Sequence, residues 1–471
     1  MPIYAGEDRA LVWFTPKLCN QRRGTMKRSR QGNLYAQRVR EFASHLAPNS
    51  VAIIVSNPES TRSNDTEYEY RQSSDMLYLN AFPEPESALV VTNCGGRLKL
   101  IMFVLPKDPI VETWTGIRVG VDGARKHYLA GQAFTVDKFA DVVGKLIEHA
   151  DCVSYKFGRN KQFDVKFRAV WEAGQLCLHN PETIIHEMRL VKSAHELGLI
   201  QKAADISAQA HVMAMKRCRP GLAEYQLKAT LEQVFTDRGA AAPSYSSIIA
   251  SGNNACVLHY TSNRSTIQDG QLVLIDAACE YGDYAADVTR TFPANGKFTR
   301  QQRQIYELVL KAQETAIAAI RPGVTQAKIH SIVCRVLRCG LVKLGILSPE
   351  MGNAKKSAKI IRHAAKAGTE QDLVSLSRYY MHYTGHMMGI DVHDVGNEIH
   401  TDSYKHRKLE PGMVFTVEPG LYFNLNDMCV PRKYRGIGIR IEDDVVVTED
   451  GCRVLTSAVP KSVEEIESLM A

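Results

Sequence analysis

A short string recurs in the second half of this 471-residue chain, and each copy interrupts a helical pattern. Arg219-Pro220-Gly221 and Arg321-Pro322-Gly323 stand 102 residues apart, and helix-forming stretches precede and follow each of them. Proline followed by glycine ends a helix because proline lacks a backbone N–H and glycine favours the turn that comes next. The shared setting favours an αα-β unit that is used twice around a pseudo-two-fold axis.

The first half of the chain follows a different pattern. The strand-like runs VAIIVS (51–56), ALVVT (88–92) and KLIMFVL (99–105) alternate with helical stretches, which indicates a small α/β domain. A capping box, Ser193 to Glu196, opens a long amphipathic helix and indicates a domain boundary near residues 187–193. We therefore predict an α/β domain over residues 27–188 and a second domain over 189–471.

Residues 1–26 precede this pattern, and the N-terminus holds much of the positive charge. The net charge is +7, but residues 1–30 hold seven basic and two acidic side chains, so the other residues carry only +2. The segment lacks the apolar run of a secretory signal. We expect an extension that is disordered or comes from a mis-assigned start. The charge distribution does not indicate a nucleic-acid-binding surface.

Composition indicates an ordinary globular protein. Hydrophobic residues make up 45% and charged residues 23%. No apolar run is long enough to cross a bilayer, so no membrane association is expected. Eleven cysteines are spread without C-x-x-C pairs, which favours reduced thiols in a cytoplasmic protein over a disulfide framework.

Five residues in the C-terminal half are candidate metal ligands. They are Asp276, Asp287, His386, Glu418 and Glu442. Four carboxylates with one imidazole suit Mn²⁺, Mg²⁺ or Zn²⁺. Five ligands are too many for one catalytic metal that must keep an open position, but they fit two metals that share bridging carboxylates. This arrangement predicts a hydrolase that uses a metal-activated water.

Strand patterns place these ligands. The segment 272–292 reads as a hairpin centred on residues 280–283, which would set Asp276 opposite Asp287, with Cβ atoms roughly 4.5–5.5 Å apart. Glu418 ends an apolar strand that Pro419 and Gly420 break. Residues 436–447 alternate as one strand and would point Arg440 and Glu442 to the same face, with Arg440 able to hold a ligand carboxylate.

Histidines cluster nearby. His382, His386 and His393 fall within twelve positions, and His259 is a fourth candidate. The H-x3-H pair could be two zinc ligands on one helix face. Gly385 and the later Gly389 argue against a good helix, and no glutamate follows the first histidine as in zincins.

Together, these segments resemble one family. They are VLHY (257–260), LIDAACEYGDYAADVTRTFP (274–293), GHMMGIDVHDVG (385–396), TVEPGLY (416–422) and RGIGIRIEDD (435–444). They resemble the motifs of Xaa-Pro aminopeptidases (aminopeptidase P), pita-bread metallopeptidases related to prolidase, creatinase and methionine aminopeptidase. Residues 60–79 also resemble the first-domain signature of that family. The resemblance runs from about residue 27 to the C-terminus.

The resemblance implies a fold and a set of ligand roles. It implies an α/β, creatinase-like N-terminal domain and an α+β pita-bread catalytic domain with pseudo-two-fold αα-β repeats and the metals at the junction of its halves. Asp276 would chelate one metal. Asp287 and Glu442 would bridge the two metals, and His386 and Glu418 would complete the second.

The resemblance also implies roles for groups around the metals. His259, His382 and His393 match active-site histidines that bind substrate, shuttle protons and stabilise the tetrahedral intermediate. Arg440 matches an arginine that holds a ligand carboxylate, and Glu418 resembles the group that takes the proton of the water. Gly385 stands where relatives often have serine.

The implied activity is a dimetal aminopeptidase, with Mn²⁺ as the first choice of metal. A metal-bridging hydroxide would cleave the bond between an N-terminal residue and a penultimate proline. The alternatives are prolidase, which takes dipeptides only, and a non-catalytic interaction module on the same scaffold. Trp114, in VETWTGIRVG (111–120), matches a tryptophan that reaches a neighbouring subunit in homotetramers, or it is an ordinary core aromatic. A homotetramer or homodimer is expected.

Overall fold

A computed structural model describes residues 30–171, 176–367, 373–396 and 405–471. The extension expected over residues 1–26 lies outside this part of the chain. The chain divides into two compact units between Ile185 and His186. The domain limits that the sequence suggests, residues 27–188 and 189–471, remain a proposal.

The N-terminal unit is a six-stranded sheet with helices. Its helices are α1 (Arg30–His45), α2 (Ser74–Asn80), α3 (Pro109–Thr115), α4 (Gly120–His127), α5 (Phe139–Ile147), α6 (Lys161–Trp171) and α7 (Glu182–Leu190), the last of which crosses the division. Its strands are β1 (Ser50–Val55), β2 (Thr61–Ser63), β3 (Thr66–Glu67), β4 (Ala88–Thr92), β5 (Lys99–Val104), β6 (Gln132–Thr135), β7 (Cys152–Ser154) and β8 (Cys177–His179).

The order of the large sheet is β6-β5-β4-β1-β7-β8. β1, β4 and β5 pair antiparallel, and the other neighbours pair parallel. The central strands are continuous apolar runs that are buried along most of their length, and they pack on aromatic residues such as Phe139 and Phe163. The three strands predicted from the sequence are confirmed as β1, β4 and β5. Trp114 on α3 is 85% exposed, so its interpretation as a core aromatic is wrong.

The C-terminal unit is mixed α and β. Its helices are α8 (Ala194–Arg217), α9 (Glu224–Asp237), α10 (Arg300–Ile317), α11 (Gln326–Lys343), α12 (Pro349–Gly352), α13 (Ala354–Ala367), α14 (Leu376–Tyr379) and α15 (Val463–Met470). Its first strands are β9 (Ala242–Pro243), β10 (Ile248–Ser251), β11 (Leu272–Asp276), β12 (Cys279–Tyr281), β13 (Tyr284–Ala285) and β14 (Thr289–Pro293). The later strands are β15 (Val414–Val417), β16 (Gly420–Phe423), β17 (Ile437–Arg440), β18 (Asp443–Val447) and β19 (Cys452–Val454).

The strands of this unit form four small sheets. Their strand orders are β10-β11-β14, β13-β12-β9, β15-β18-β19 and β16-β17. The predicted capping box is confirmed: the Ser193 side chain caps α8, and Glu196 bonds back to the Ser193 backbone. Among the described residues, no helix is both long and apolar enough to span a membrane.

The internal repeat is confirmed in the backbone. α8 and α9 flank the first Arg-Pro-Gly, and α10 and α11 flank the second. Gly221 N–H donates to the Ile267 carbonyl at 2.9 Å, and Gly323 N–H donates to the Leu409 carbonyl at 2.8 Å. Both glycines have φ near +90°, a conformation that side chains strongly disfavour. The same turn is therefore built twice, 102 residues apart.

Candidate metal centre

A hairpin carries the first two carboxylates. Asp276 is the last residue of β11 and pairs with Thr289 of β14, so the predicted pairing of Asp276 with Asp287 is wrong. The reason is the turn: Gly282 and Asp283 both have positive φ and form a two-residue loop between Tyr281 and Tyr284. This loop moves the register by two residues from the expected one and leaves Asp287 two positions before Thr289.

The other two carboxylates stand where strands end. β15 ends at Val417 and Glu418 follows it, as predicted. Glu442 lies between β17 and β18, which belong to different sheets, so the prediction of one continuous strand over 436–447 is wrong. Thr289 anchors Glu442 twice, because its Oγ1 donates to Glu442 Oε2 at 2.7 Å and its carbonyl accepts from Glu442 N–H at 3.0 Å.

The structure brings the candidate ligands together. One side-chain ligand atom each from Asp287, His386 and Glu442 lie within 4.8 Å of one another. His386 Nε2 is 3.3 Å from Asp287 Oδ2 and 3.8 Å from Glu418 Oε1. His386 Nδ1 donates to the Met387 carbonyl at 3.1 Å, which turns Nε2 toward the carboxylates and leaves it free to ligate.

Arg440 links Asp276 to this group. Its Nη2 donates to Asp276 Oδ2 at 2.6 Å, and its Nε donates to Thr289 Oγ1 at 3.2 Å. Its Nη1 reaches the Tyr422 hydroxyl at 3.1 Å. Arg440 therefore holds one candidate ligand directly and Glu442 indirectly, through the hydroxyl of Thr289.

The centre has too little positive charge for its carboxylates. Burial raises the pKa of Glu442 well above 4.5, and the charges of Asp287, Glu418 and Asp276 raise it further. Burial likewise raises the pKa of Glu418 to about 7. Burial opposes the charged form of His386, but Asp287 and Glu418 outweigh it and raise its pKa to about 9. Glu442, Glu418 and His386 therefore favour their protonated forms, and metal cations would neutralise the same negative charge.

A divalent metal fits this donor set. Asp276 Oδ1 is buried and accepts no hydrogen bond within the described part of the chain. A buried oxygen without a partner is costly unless a cation satisfies it. Arg440 and His386 are charge partners of these carboxylates, and oxygen ligands with one imidazole suit a hard or borderline divalent ion.

Three further histidines lie around the centre, and none of them is on a helix. His382 Nδ1 donates to the Tyr383 carbonyl at 2.8 Å, so its Nε2 accepts from the Tyr422 hydroxyl at 2.8 Å. Burial lowers the pKa of His382 to about 3, so its ring is neutral. His393 is exposed, and its ring meets His386 edge-on with centroids 4.4 Å apart. His259 is exposed on a turn, close enough that its charge lowers the pKa of His382 and of His393.

Known proteins share this organisation. Residues 198–449 match the profile of metallopeptidase family M24, and residues 35–155 match that of the aminopeptidase P N-terminal domain. The Xaa-Pro aminopeptidase of Escherichia coli (strain K12) is 41% identical over 447 residues, which cover 93% of this chain and 97% of that protein. The chain belongs to metallopeptidase family M24. It is a metal-dependent aminopeptidase, as its relatives and its cluster of metal-binding residue types indicate.

Solved structures agree with this assignment. Aminopeptidase PepP of Pseudomonas aeruginosa superimposes with a TM-score of 0.84 at 43% identity, covering 93% of this chain and 97% of the other. Zn-substituted aminopeptidase P of Escherichia coli, in complex with product, gives a TM-score of 0.86 at 40% identity, covering 93% and 98%. The predicted fold class, an α/β domain followed by the M24 catalytic domain, is confirmed.

Two residues of this M24 site carry no signal in the sequence. The Tyr245 side chain hydrogen-bonds to Asp287, and burial together with the charges of Asp276, Asp287 and Glu442 raises the pKa of Tyr245 well above 10. Asp444 accepts the backbone N–H of Asp287 through Oδ2 at 3.0 Å. A tyrosine between two strands and an acid in an acidic run are both common, so only the folded chain distinguishes them.

Asp443, the neighbour of Asp444, has a structural role instead. Its carboxylate pairs with Arg290 at 2.7 Å and with Lys461 at 2.6 Å. Arg290 also donates to the carbonyls of Thr289 and Glu442, at 3.0 and 2.6 Å. This buried network fixes the backbone on which Glu442 stands.

His211 supports the hairpin of this enzyme from behind. It is fully buried on α8, and its Nε2 donates to the carbonyl of Ala277, the residue after Asp276, at 2.8 Å. Burial lowers its pKa from 6.5 to about 4. The unfolded chain therefore binds a proton at His211 as the pH falls below about 6.5, whereas the folded protein binds this proton only near pH 4. The free energy that His211 contributes to folding is accordingly lost as the pH falls through that window.

We expect His211→Gln to flatten the acid dependence of stability. The wild-type protein should lose up to about 1.4 kcal/mol more per pH unit than the variant between pH 6.5 and 4, because one proton separates its two states. Urea unfolding of both metal-free proteins at pH 7.5, 5.5 and 4.5 measures this difference. Parallel curves for the two proteins would show that His211 is not held neutral.

Proposed function

We propose that this enzyme is a dimetal Xaa-Pro aminopeptidase, which removes an N-terminal residue that precedes proline. The observation that carries the proposal is the convergence of His386 with buried carboxylates whose charge exceeds that of the nearby cations. Relatives that bear the name Xaa-Pro aminopeptidase match over 93% of the chain. Their named specificity supports proline recognition here.

The ligand roles follow the sequence assignment. Asp276 would hold one metal with both oxygens: Oδ1 has no hydrogen-bond partner among the described residues, and Oδ2 also accepts from Arg440. Asp287 and Glu442 would be shared by the two metals, and the short separation of their ligand atoms supports this. His386 and Glu418 would be the further ligands of the second metal, because His386 Nε2 lies near both Asp287 and Glu418.

Bound divalent ions lower the pKa of a water and polarise the scissile carbonyl. Glu418 is the group that takes the proton of that water and passes it toward the leaving nitrogen. A carboxylate beside the metal-bound water can accept its proton and return it to the leaving group. Glu418 Oε2 lies 3.7 Å from His382 Nδ1, so the two groups face the same space.

The histidines act on the substrate. Exposed His393 donates a hydrogen bond to the developing oxyanion, and its position edge-on to His386 brings it beside the metal ligands. His382 and His259 bind the substrate and assist proton movement. Arg440, which is 4% exposed, holds Asp276 in its chelating position. The leaving group is the proline nitrogen, whose tertiary amide has no N–H for recognition.

Several further points complete the proposal. Mn²⁺ is the first choice of metal, because hard oxygen ligands outnumber the single imidazole. We propose a homotetramer or homodimer in the cytoplasm that acts on peptides with proline at the second position. Neither nucleic acid nor a membrane is a proposed partner.

We expect the Mn²⁺-loaded enzyme to cleave both an Xaa-Pro dipeptide and a longer Xaa-Pro-Xaa peptide. The matched Xaa-Ala-Xaa peptide should remain intact, and chelation should abolish cleavage until Mn²⁺ is restored. Liquid chromatography of the products measures each reaction. Cleavage of the dipeptide alone would support prolidase, whereas cleavage of the alanine peptide at a similar rate would refute proline specificity.

A further inference from the structure

The motif G-x-D-V-H-D contains acids that the proposed chemistry does not use. Asp391 and Asp394 flank His393, and neither is among the candidate ligands. The Asp394 side chain is only 1% exposed. A buried carboxylate beside a catalytic histidine needs partners, and the chain supplies two from outside the motif.

Two buried cations hold Asp394. Arg189 Nη2 lies 2.5 Å from Asp394 Oδ1, and Lys192 Nζ lies 3.0 Å from Asp394 Oδ2. The side chains of Arg189 and Lys192 are 4% and 1% exposed. Arg189 also pairs with Asp391 at 2.8 Å, so two acids balance two bases. We call Arg189, Lys192 and Asp394 the clamp.

The clamp closes residues 386–394, which we call the histidine loop. Asp394 N–H donates to the Met387 carbonyl at 3.0 Å, and Gly389 N–H donates to the Asp391 carbonyl at 3.0 Å. A Cβ on Gly389 would lie 2.2 Å from Asp394 Oδ2 and 2.9 Å from Lys192 Cε. Only glycine therefore lets the backbone approach the buried ion pair so closely.

The same loop is tied to the strands that carry metal ligands. Met388 N–H donates to the Val414 carbonyl of β15 at 3.0 Å, and Lys192 N–H donates to the Gly412 carbonyl at 2.9 Å. Ala285 N–H, two residues before Asp287, donates to the Gly389 carbonyl at 2.8 Å. The clamp therefore joins the histidine loop to the frame of the metal centre.

We infer that Asp394 is a positioning residue that holds His393 in its place beside His386. It acts through the loop, because its own carboxylate is bonded to Arg189 and Lys192 rather than directed at the centre. The inference rests on the proposed role of His393. Removal of the carboxylate charge frees the loop end, and the ring of His393 then leaves the position 4.4 Å from His386 that the chemistry needs.

A double-mutant cycle tests this inference in the metal-loaded enzyme. Asp394→Asn keeps the size of the side chain and removes its charge, and we expect it to lower kcat at least tenfold with metal content and KM little changed. In a His393→Ala background the same substitution should change kcat less than twofold, because its target is gone. Asp237→Asn, an exposed aspartate at the end of α9, is the matched control and should leave kcat unchanged.

The outcomes separate the inference from the proposed function. An equal loss from Asp394→Asn in both backgrounds, or no loss in either, would overturn the positioning role alone. Wild-type turnover in His393→Ala would overturn the role of His393 and the inference with it. If Asp394→Asn fails to fold, Lys192→Met replaces it in the same cycle, since it keeps the pair of Asp394 with Arg189 and loosens only one arm of the clamp. The same coupling is then expected, and its absence counts against the inference.

Discussion

The Asp287→Ala variant is expected to lose its activity and at least one metal ion together. Asp287 faces His386 Nε2 at 3.3 Å and is only 5% exposed. As the proposed bridge, it is the ligand whose loss leaves two like charges with one fewer carboxylate between them. Metal analysis of the purified variant and its rate on an Xaa-Pro-Xaa peptide measure the two losses.

A control separates this effect from damage to the fold. Asp237→Ala removes an exposed aspartate from the end of α9 and should keep both metal and rate. Asp287→Ala should also remain folded when metal-free, because the substitution removes the repulsion that Asp287 exerts on Asp276, Glu418 and Glu442. Wild-type metal content together with a wild-type rate would refute the dimetal assignment.

Short-range sequence signals were sufficient to predict the elements that depend on neighbouring residues alone. The helix breaks at Arg-Pro-Gly and the capping box at Ser193 are short-range signals, and both stand in the structure as predicted. The five ligand candidates, chosen by residue type and strand position, lie in one unit, and three of them converge directly. Their roles in binding metal stay proposals.

The predicted register of the hairpin was wrong, although the sequence contains the turn signal that sets the correct register. Gly282-Asp283 is a recognised signal for a two-residue turn, and reading it as such would have paired Tyr281 with Tyr284. Centring the turn on a wider loop moved every pair by two positions. Register depends on one turn, so a small error there displaces a distant residue such as Asp276.

Other errors came from tertiary structure alone. The chain leaves one sheet and enters another at Ile441 and Glu442 without proline or glycine, because Thr289 and Arg290 bond the backbone and side chain of Glu442 from a different strand. The clamp on Asp394 likewise joins residues that stand 202 or more positions apart. The periodicity of apolar residues reflects positions that are close in sequence, so it does not predict such long-range contacts.

His393→Ala should slow turnover about 10²–10³-fold while the metal content stays at the wild-type level. Its ring is exposed and touches His386 edge-on, which is the geometry of a group that faces substrate rather than one enclosed among ligands. Loss of one donor to a developing oxyanion costs a factor of this size, because the donor acts on charge that appears only in the transition state. The loss should therefore fall on kcat more than on KM.

Metal analysis and steady-state kinetics on one Xaa-Pro-Xaa peptide decide between the two possible roles of His393. The variant His363→Ala, which removes an exposed histidine of α13, is the matched control and should match the wild type in both measurements. A His393→Ala protein that has lost an ion would make His393 a ligand and would require a different first coordination shell. If the variant keeps its ions and slows as expected, the set of metal ligands is complete without His393, and His386 is its imidazole ligand. The excess negative charge around Glu442 and Glu418 is then neutralised by the metal ions and Arg440.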